Sequence, residues 1–380
     1  GCVRRPRCAQ GTPDQRQRLA RLLTDYQHVF SRDEWDLGRT DLVQHTIDTG
    51  NERPTREPLR RHPMAHEQPI DEHVDKLVKL KVVEPCQSDW SSNLLLVKKK
   101  RPGEYRVCAD LRRLNMKTVR DCYPLPLISA CLDSLAESSW FSVLDLYSAY
   151  FQLPLNPETS HNTCFLTKRG AFKFTVLCQG QTNAPSSFQR LLDILFSGMT
   201  YSEMVCFLDD IICMAKSVDE AIDRLERIFQ RLAAAGLKLW PDKCKSLCKQ
   251  VKFLGFIVSG EGLASDPEKV QKVVDWPEPK CLKEVRQFVA FCAYYRKMIQ
   301  SFSEICEPLY ALTRKNAKFH FDQLCKAAFE ALKERLTSAP ILALPNDHDV
   351  YYLDTDASDI ALSGVLSQIQ NGQQRVICYG

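Results

Sequence analysis

Three features are scarce in this sequence of 380 residues: net charge, long apolar runs and paired cysteine motifs. No apolar run approaches the roughly 20 residues that a membrane-spanning helix needs, and we recognise no secretory signal. None of the 17 cysteines forms a C-x-x-C pair. Cys244 and Cys248 lack the further ligands that complete a zinc site. We therefore expect free, mostly buried thiols in a reducing compartment.

The net charge of +4 excludes a globally basic protein, so contact with nucleic acid must come from local basic clusters. The composition otherwise suits globular domains. The chain is 44% hydrophobic and 26% charged, which is enough for two or three cores and excludes a disordered chain. It begins with Gly1 rather than Met, which predicts a fragment or an internal piece of a polyprotein.

The chain is organised around residues 204–214, where Asp209 and Asp210 lie between two short apolar runs. Such runs predict strands, and Asp tolerates turn conformations, so we expect a hairpin with Asp-Asp in its turn. Adjacent carboxylates repel each other and one would take up a proton. A divalent cation relieves this repulsion, and Mg²⁺ takes carboxylate oxygens together with substrate phosphates. The dipeptide alone would favour a solvated turn, but a third acid changes that balance.

The third acid is Asp145, which interrupts an apolar strand that begins at Trp140. A lone acid in a buried strand is costly unless it is paired or bound to a metal. Together with Asp209 and Asp210 it suits a two-metal centre for phosphoryl transfer. Tyr150 follows where the strand is expected to bend away, and core packing is its simpler role.

Two further segments could contact phosphates or bases. Strand 93–97 runs into the basic residues 98–101 and returns as strand 105–109, which carries Arg106. This cluster suits a triphosphate or a nucleic-acid backbone, although a charged, exposed hairpin tip explains it equally well. The segment 177–193 is predicted as a loop entering a helix capped by Asn183 or Thr182, where backbone amides suit an anion or a base pair.

Periodicity predicts the remaining elements. Helices are expected at 14–30, 70–81, 217–236, 281–299 and 322–336, with strands at 251–258 and from 350 onward. The proline-rich stretch 48–69 is predicted to be extended. Within it, Asp48-Thr49-Gly50 matches the triplet of aspartic proteases. We reject that function because the following segment is charged and proline-rich rather than composed of alternating apolar strands.

Eight short motifs, each weak alone, occur together in a specific order. They are Trp90-Ser-Ser with Leu-Val-Lys-Lys-Lys100, Arg106-Val-Cys-Ala-Asp110-Leu-Arg-Arg-Leu-Asn115, Tyr123-Pro-Leu-Pro126, Leu144-Asp-Leu-Tyr-Ser-Ala-Tyr150, Asn183-Ala-Pro-Ser-Ser-Phe-Gln189, Phe207-Leu-Asp-Asp210, Phe253-Leu-Gly-Phe256 and Thr355-Asp-Ala-Ser358. In this order they resemble the pol region of gypsy-type long-terminal-repeat retrotransposons, a reverse transcriptase followed by the start of a ribonuclease H. The likeness covers about residues 28–369.

The resemblance implies an α+β, right-hand polymerase fold with fingers, palm and thumb, a connection, and the first strands of a ribonuclease H-like domain. The expected divisions are a linker and N-terminal helix after a protease region (1–45), fingers and palm (46–258), thumb and connection (259–346), and the start of a truncated ribonuclease H-like domain (347–380). The helix at 281–299 resembles the thumb, and Phe253-Leu254-Gly255 resembles the primer grip.

The resemblance also implies roles for individual residues. Asp145, Asp209 and Asp210 are expected to hold two Mg²⁺, with Mn²⁺ as an alternative, while a primer 3′-hydroxyl attacks a deoxynucleotide. The other expected contacts are Lys99 and Arg106 with the triphosphate, Tyr150 as a steric gate beneath the sugar, Gln179 and Gly180 supporting the template–nucleotide pair, Lys243 near the leaving pyrophosphate, and Asp356 as the first metal-binding carboxylate of ribonuclease H.

The implied function is an RNA-directed DNA polymerase with an RNA or DNA template, a nucleic-acid primer and dNTPs as partners. A dimer is left open, no membrane is involved, and the expected location is a cytoplasmic virus-like particle with a later nuclear stage. Cys178 departs from the proline common before Gln179 and could loosen the loop, whereas Phe207 in place of Tyr should be tolerated. Because the later ribonuclease H carboxylates are missing, we expect no RNA cleavage. The main alternative is a catalytically silent, nucleic-acid-binding remnant.

Overall fold

The computed structural model describes residues 10–98, 105–357 and 361–380. Two compact units can be separated by their internal contacts. Unit 1 contains the described residues up to Leu127 together with Ser142–Cys213 and Val218–Leu247, and unit 2 contains Ile128–Phe141, Met214–Ser217 and Cys248–Gly380. Across the described ranges, no helix combines the length and apolarity needed to cross a membrane.

The helices of the described residues are α1 (Pro13–Asp25), α2 (Met64–Lys79), α3 (Arg112–Lys117), α4 (Ile128–Asp133), α5 (Ala184–Leu195), α6 (Val218–Ala234), α7 (Pro267–Val274), α8 (Leu282–Tyr294), α9 (Phe302–Thr313) and α10 (Gln323–Thr337). Short 3₁₀ helices cover Gln27–Val29, Ala149–Gln152, Ser160–Thr163 and Arg296–Met298. The strands are β1 (Val83–Pro85), β2 (Ser92–Lys98), β3 (Tyr105–Ala109), β4 (Trp140–Asp145), β5 (Phe165–Thr167), β6 (Gly170–Phe174), β7 (Met204–Phe207), β8 (Asp210–Ala215), β9 (Lys245–Cys248), β10 (Gln250–Phe253), β11 (Phe256–Ser259), β12 (Gly262–Ser265), β13 (Tyr351–Ala357), β14 (Leu362–Gln370) and β15 (Gln373–Tyr379).

Two sheets carry the residues of interest. A five-stranded sheet in unit 1 has the order β1-β6-β5-β2-β3, and a four-stranded sheet has the order β7-β8-β4-β9. The second sheet therefore places β4, which ends at Asp145, directly beside β8, which begins at Asp210. Acids that are distant in the sequence come together because their strands are neighbours.

Helices α5 and α6 supply much of the core of unit 1. Their apolar faces are fully buried at Phe188, Leu191, Leu225 and Phe229. The spacing of these residues, three or four apart, is that of one helical face. The sequence predicted this face on α6, and Gly236, with φ +68°, follows the helix as expected.

Unit 2 contains two antiparallel three-stranded sheets, β10-β11-β12 and β13-β14-β15. Its helices pack through aromatic rings, with the centroids of Phe288 on α8 and Phe329 on α10 only 4.4 Å apart. Most of the side chains on β13 are exposed, including Tyr351 and Leu353.

Several predicted elements differ in their bounds. The helix at 14–30 ends at Asp25 and continues as a separate 3₁₀ turn, and the helix at 70–81 already begins at Met64, with Pro69 inside it. Burial of one apolar face on the second helix compensates for the backbone hydrogen bond that the proline removes. The helix at 281–299 ends at Tyr294 and is followed by a 3₁₀ turn. Helices α7 and α9 were not predicted.

The single strand expected at 251–258 is wrong, because the structure folds this stretch into the hairpin β10–β11. Its two turn residues, Leu254 and Gly255, have φ values of +46° and +77°. Left-handed residues at both positions are typical of the tight hairpin turn that matches strand twist. The hydroxyls of Tyr294 and Tyr295 donate hydrogen bonds to the carbonyls of Leu254 and Gly255, at 2.5 and 3.0 Å.

Candidate active site

The hairpin formed by β7 and β8 carries two of the three predicted acids. Phe207 pairs with Asp210 across the hairpin, so the turn residues are Leu208 and Asp209. The prediction of an Asp-Asp turn is therefore wrong by one residue, since Asp210 already belongs to β8. This register buries Ile211 and the three residues after it against the core, which fixes the pairing.

Asp145 ends β4 and contacts a lysine from a distant part of the chain. The ammonium nitrogen of Lys243 lies 3.1 Å from each carboxylate oxygen of Asp145. The backbone N–H of Trp240 donates to the carbonyl oxygen of Asp145 at 2.8 Å, which ties the 240–243 turn to the end of β4. The lysine side chain is 63% exposed, so it is free to move toward a ligand.

These residues line a cleft of about 270 Å³ in unit 1. Five of the residues predicted to be functional line it, namely Asp145, Tyr150, Gln179, Asp209 and Lys243. Two others for which no role was predicted, Tyr147 and Trp240, also line it, and their rings stack with centroids 4.5 Å apart. The only sign in the sequence that these two residues belong to the cleft was their closeness to Asp145 and Lys243 along the chain.

Partial burial and neighbouring charge raise the pKa values of two of these carboxylates, Asp209 and Asp210. The pKa of Asp209 is raised mainly because protein atoms partly desolvate it, and further by the charges of Asp145 and Asp210. The pKa of Asp210 is raised by the same partial burial and by Asp145, although both side chains still reach the surface. Lys243 opposes both shifts. Three mutually repelling acids in one region would be stabilised by a cation.

The side chains present fit a divalent metal by their chemistry, since three carboxylates are the oxygen donors that Mg²⁺ prefers. The ammonium of Lys243, centred on both oxygens of Asp145, occupies the position of a counter-cation. Among the described residues, however, no three such side chains are already gathered closely enough to hold an ion. The metal-binding role of Asp145, Asp209 and Asp210 thus stays a prediction.

Tyr150 lies on the 3₁₀ helix Ala149–Gln152, where its ring meets that of Phe188 edge-on at 5.5 Å. Burial, and then the charge of Asp209, raises the pKa of its hydroxyl. The fully buried Gln152 fixes this segment. Its amide nitrogen donates to the carbonyls of Tyr147 and Lys238, at 2.7 and 2.9 Å. Tyr150 therefore both packs against the core and faces the cleft.

The loop before α5 is held from the side by Asn115. The side-chain nitrogen of Asn115 donates to the carbonyl of Gly180 at 2.7 Å, and its oxygen accepts from the N–H of Thr182 at 3.0 Å. Gly180 has φ +93°, a conformation that favours glycine. Cys178 is buried in the same loop, which raises the pKa of its thiol.

The predicted helix cap is wrong for Asn183. It occupies the position before α5, but its side chain makes no capping hydrogen bond. The amide nitrogen instead donates to the carbonyl of Val119 at 2.8 Å, and the oxygen accepts from the N–H of Asp121 at 3.1 Å. These bonds connect α5 to the segment that precedes Tyr123, a long-range use of the amide that local sequence does not reveal.

The other predicted residues lie either away from this cleft or outside the part of the chain whose side chains the structure describes. Lys99 lies outside the described residues, and for Arg106 only the backbone is described, paired with Val97 in β3. Asp356 lies on β13 in unit 2, exposed, with its carboxylate accepting from the N–H of Ala357 at 2.9 Å. The triplet at Asp48 forms an exposed turn in which the carboxylate accepts from the N–H of Gly50, at 2.8 Å.

Two families match the chain. Residues 97–258 match the family described as reverse transcriptase (RNA-dependent DNA polymerase), and residues 321–380 match the RNase H-like domain found in reverse transcriptase.

The curated relatives are polyproteins of transposons. The chain is 33% identical over 369 residues to the retrovirus-related Pol polyprotein from transposon 412 of Drosophila melanogaster, covering 96% of this chain and 30% of the relative. It is 31% identical to that from transposon opus of the same species, covering 98% of the chain and 39% of the relative. The transposon Tf2-3 polyprotein of Schizosaccharomyces pombe is 32% identical, covering 82% of the chain and 23% of the relative. The chain thus spans well under half the length of these relatives.

Solved structures show the same fold. A foamy viral protease-reverse transcriptase in complex with double-stranded DNA aligns with a TM-score of 0.86 at 23% identity, covering 100% of this chain and 66% of that one. The foamy viral enzyme in complex with an RNA/DNA hybrid aligns with a TM-score of 0.83. The fold is therefore the α+β, right-hand polymerase fold with the start of a ribonuclease H-like domain. This chain belongs to the Pol polyproteins of long-terminal-repeat retrotransposons, as a reverse transcriptase domain followed by an RNase H-like domain.

Proposed function

We propose that the chain is an active RNA-directed DNA polymerase that extends a primer 3′-hydroxyl with deoxynucleotides. The observation that carries the proposal is the cleft in which Asp145 and Asp209 meet Tyr150, Gln179 and Lys243. Partial burial, and then the charge of neighbouring carboxylates, raises the pKa of Asp209 in this cleft, and such a raised pKa in a cleft is typical of functional sites.

In the proposed reaction the primer 3′-oxygen loses its proton and bonds to the α-phosphorus of the nucleotide. The bond from that phosphorus to the bridging oxygen breaks, and pyrophosphate leaves. Asp145, Asp209 and Asp210 would hold two Mg²⁺ or Mn²⁺, which acidify the 3′-hydroxyl and neutralise the phosphates when bound.

The other side chains bind and orient the reactants. Tyr150 lies beneath the sugar and excludes a 2′-hydroxyl, and Gln179 with Gly180 supports the nascent base pair. The ammonium of Lys243 leaves its ion pair with Asp145 and binds the negatively charged pyrophosphate as it departs. The lysine side chain is exposed and can therefore make this movement. Lys99 and Arg106 bind the triphosphate.

The proposed partners are an RNA or DNA template, a nucleic-acid primer and dNTPs. Solved structures of similar fold, which are foamy viral enzymes in complex with double-stranded DNA and with an RNA/DNA hybrid, support nucleic-acid binding. We propose no membrane contact, leave dimerisation open, and propose a cytoplasmic virus-like particle with a later nuclear stage as the location.

Primer extension on poly(rA)·oligo(dT) with dTTP and Mg²⁺ tests the proposal. The Asp209→Asn/Asp210→Asn double variant serves as the matched control, because it removes two charges while preserving side-chain size. We expect extension by the unmutated chain and none by the control, with hybrid binding by both. Hybrid binding without extension by the unmutated chain would instead favour the silent, nucleic-acid-binding remnant.

A further inference from the structure

The turn that carries Asp209 is strained. Leu208, its first residue, has φ +53°, in the left-handed region that is energetically unfavourable for a residue with a side chain. Glycine would relieve that cost, yet a leucine is present. Such a conformation persists only where surrounding contacts determine it.

The contact that holds the turn comes from Gln189 on α5. The side-chain oxygen of Gln189 accepts a hydrogen bond from the backbone N–H of Leu208 at 3.1 Å. Gln189 is fully buried, so water cannot substitute for its partners. The side chain of Gln189 therefore holds the backbone of the turn from the side of the buried core.

The other end of the Gln189 amide is also engaged. Its nitrogen donates to one carboxylate oxygen of Asp193, one helical turn later, at 2.9 Å. Because the amide donates at one end and accepts at the other, only one of its two orientations satisfies both partners. Asp193 thus determines which atom Gln189 presents to Leu208.

Asp193 is in turn held by Tyr123. The tyrosine hydroxyl donates to the second carboxylate oxygen of Asp193 at 2.6 Å. This hydrogen bond is the main reason why the pKa of Tyr123 is raised to about 12, so the hydroxyl keeps its proton and remains a donor. Tyr123 belongs to the Tyr123-Pro-Leu-Pro126 motif, for which no role was predicted.

Tyr123 itself is held by two further contacts, one to its backbone and one to its ring. Its N–H donates to Asp121 at 3.0 Å, and the guanidinium of Arg190 lies over its ring, 4.6 Å from the centroid. Arg190 also pairs with Asp121 at 2.8 Å. The tyrosine hydroxyl is thus held in place without using the hydrogen bond that it gives to Asp193.

We propose that Tyr123, Asp193 and Gln189 form a relay that positions the Leu208–Asp209 turn, and with it the carboxylate of Asp209. The proposal rests on the proposed polymerase function. All members lie in unit 1, and none is expected to touch substrate, so they are positioning residues. Loss of the relay should misplace the carboxylate without opening the core, because the strands and α5 keep their apolar contacts.

Three variants test the relay. Tyr123→Phe removes only the hydroxyl, Gln189→Leu removes both ends of the amide at similar volume, and the double variant combines them. Tyr26→Phe is the matched control, since it deletes the same group in the same unit from a ring that packs on Phe229. Thermal unfolding of each variant shows whether it folds.

Two measurements report on the turn. The first is primer extension, analysed as kcat and as KM for dTTP. The second is the affinity for Tb³⁺, a luminescent substitute for Mg²⁺ that Trp240 can sensitise from the same cleft, with Asp209→Asn/Asp210→Asn as the reference for lost binding. A variant that was merely less stable would lose active molecules but leave KM and the Tb³⁺ affinity of the folded fraction unchanged.

For Tyr123→Phe and Gln189→Leu we expect kcat to fall about tenfold with KM for dTTP within about twofold, the size of one hydrogen bond to a charged or buried group. Tb³⁺ affinity should fall by about five- to tenfold. The double variant should be no worse than Gln189→Leu, because members of one relay are not additive. Tyr26→Phe should change none of these values.

The relay is overturned if the folded variants retain the kcat and Tb³⁺ affinity of the unmutated chain, or if the two single effects add fully. Failure of the polymerase function gives a different result. In that case the unmutated chain does not extend a primer but still binds Tb³⁺, and the Tb³⁺ affinities of the variants decide the relay. An unmutated chain that binds no Tb³⁺ contradicts the positioning of a metal-binding carboxylate.

Discussion

His45 should make the stability of this protein depend on pH in a defined window. Its ring is buried, with Nδ1 2.8 Å from the hydroxyl oxygen of Ser187 on α5. Burial lowers the pKa of His45 from 6.5 to about 4, with Arg190 acting in the same direction and Asp121 opposing it. The backbone on both sides of the residue is fixed, since its N–H donates to the carbonyl of Pro154 at 2.9 Å and its carbonyl accepts from the N–H of Asn156 at 2.8 Å.

The sign of the effect follows from the two states. Unfolded His45 takes up a proton near pH 6.5, whereas the folded protein keeps it neutral down to about pH 4. The stability contribution is therefore fully present above pH 6.5 and is lost as the pH falls through this window. A pKa difference of this size corresponds to about 3 kcal/mol.

Urea unfolding of the unmutated chain and of His45→Gln, at several pH values between 7 and 4, measures the effect. Glutamine retains a polar group for Ser187 but cannot titrate. We expect the unmutated chain to lose about 3 kcal/mol more than the variant on acidification. The reasoning is refuted if both lose stability in parallel, or if an NMR titration of the folded chain gives His45 a pKa near 6.5.

Three further predictions concern the cleft, the backbone conformation at two glycines and the RNase H-like domain. Tyr150→Ala should raise ribonucleotide incorporation relative to deoxyribonucleotide at least about tenfold in primer extension, and an unchanged ratio would contradict the steric gate. Gly236→Ala should destabilise unit 1 by at least about 2 kcal/mol, because a Cβ there would lie 2.5 Å from the carbonyl oxygen of Arg39 at φ +68°. Gly50→Ala, at φ +51° in open space, should cost only about 1 kcal/mol in the same unfolding assay, and equal losses would show that the close approach is unimportant. The chain should leave the RNA of a DNA·RNA hybrid intact in Mg²⁺, since Asp356 is the one expected ribonuclease H carboxylate in the sequence; a cleaved RNA strand would show this prediction to be wrong.

Elements with strong local signals could be predicted from the sequence. Helix α6 followed from its apolar spacing and the glycine after it, and α10 was predicted to within a residue at each end. The strand before Asp145 and the two strands around Asp209 followed from short apolar runs. These signals are local, because a helix or strand that buries one face carries apolar residues at a regular spacing within a short stretch of sequence.

Other features depended on contacts between distant residues. The turn at Leu208 and Asp209, rather than Asp209 and Asp210, is set by strand register and by Gln189. Asn183 looks like a helix cap in sequence but binds the backbone near Asp121 instead. An amide has several equivalent local partners, so only the tertiary structure decides which of them it uses.

The sequence by itself determined the family, the three acids and the order of the motifs, because these depend on residue identity alone. Only the tertiary structure brought Lys243 onto Asp145, stacked Trp240 on Tyr147 in the same cleft, and joined Tyr123 to the Leu208–Asp209 turn through Asp193 and Gln189. Those contacts join segments far apart in the chain, and their geometry is fixed by how strands and helices pack rather than by any local pattern.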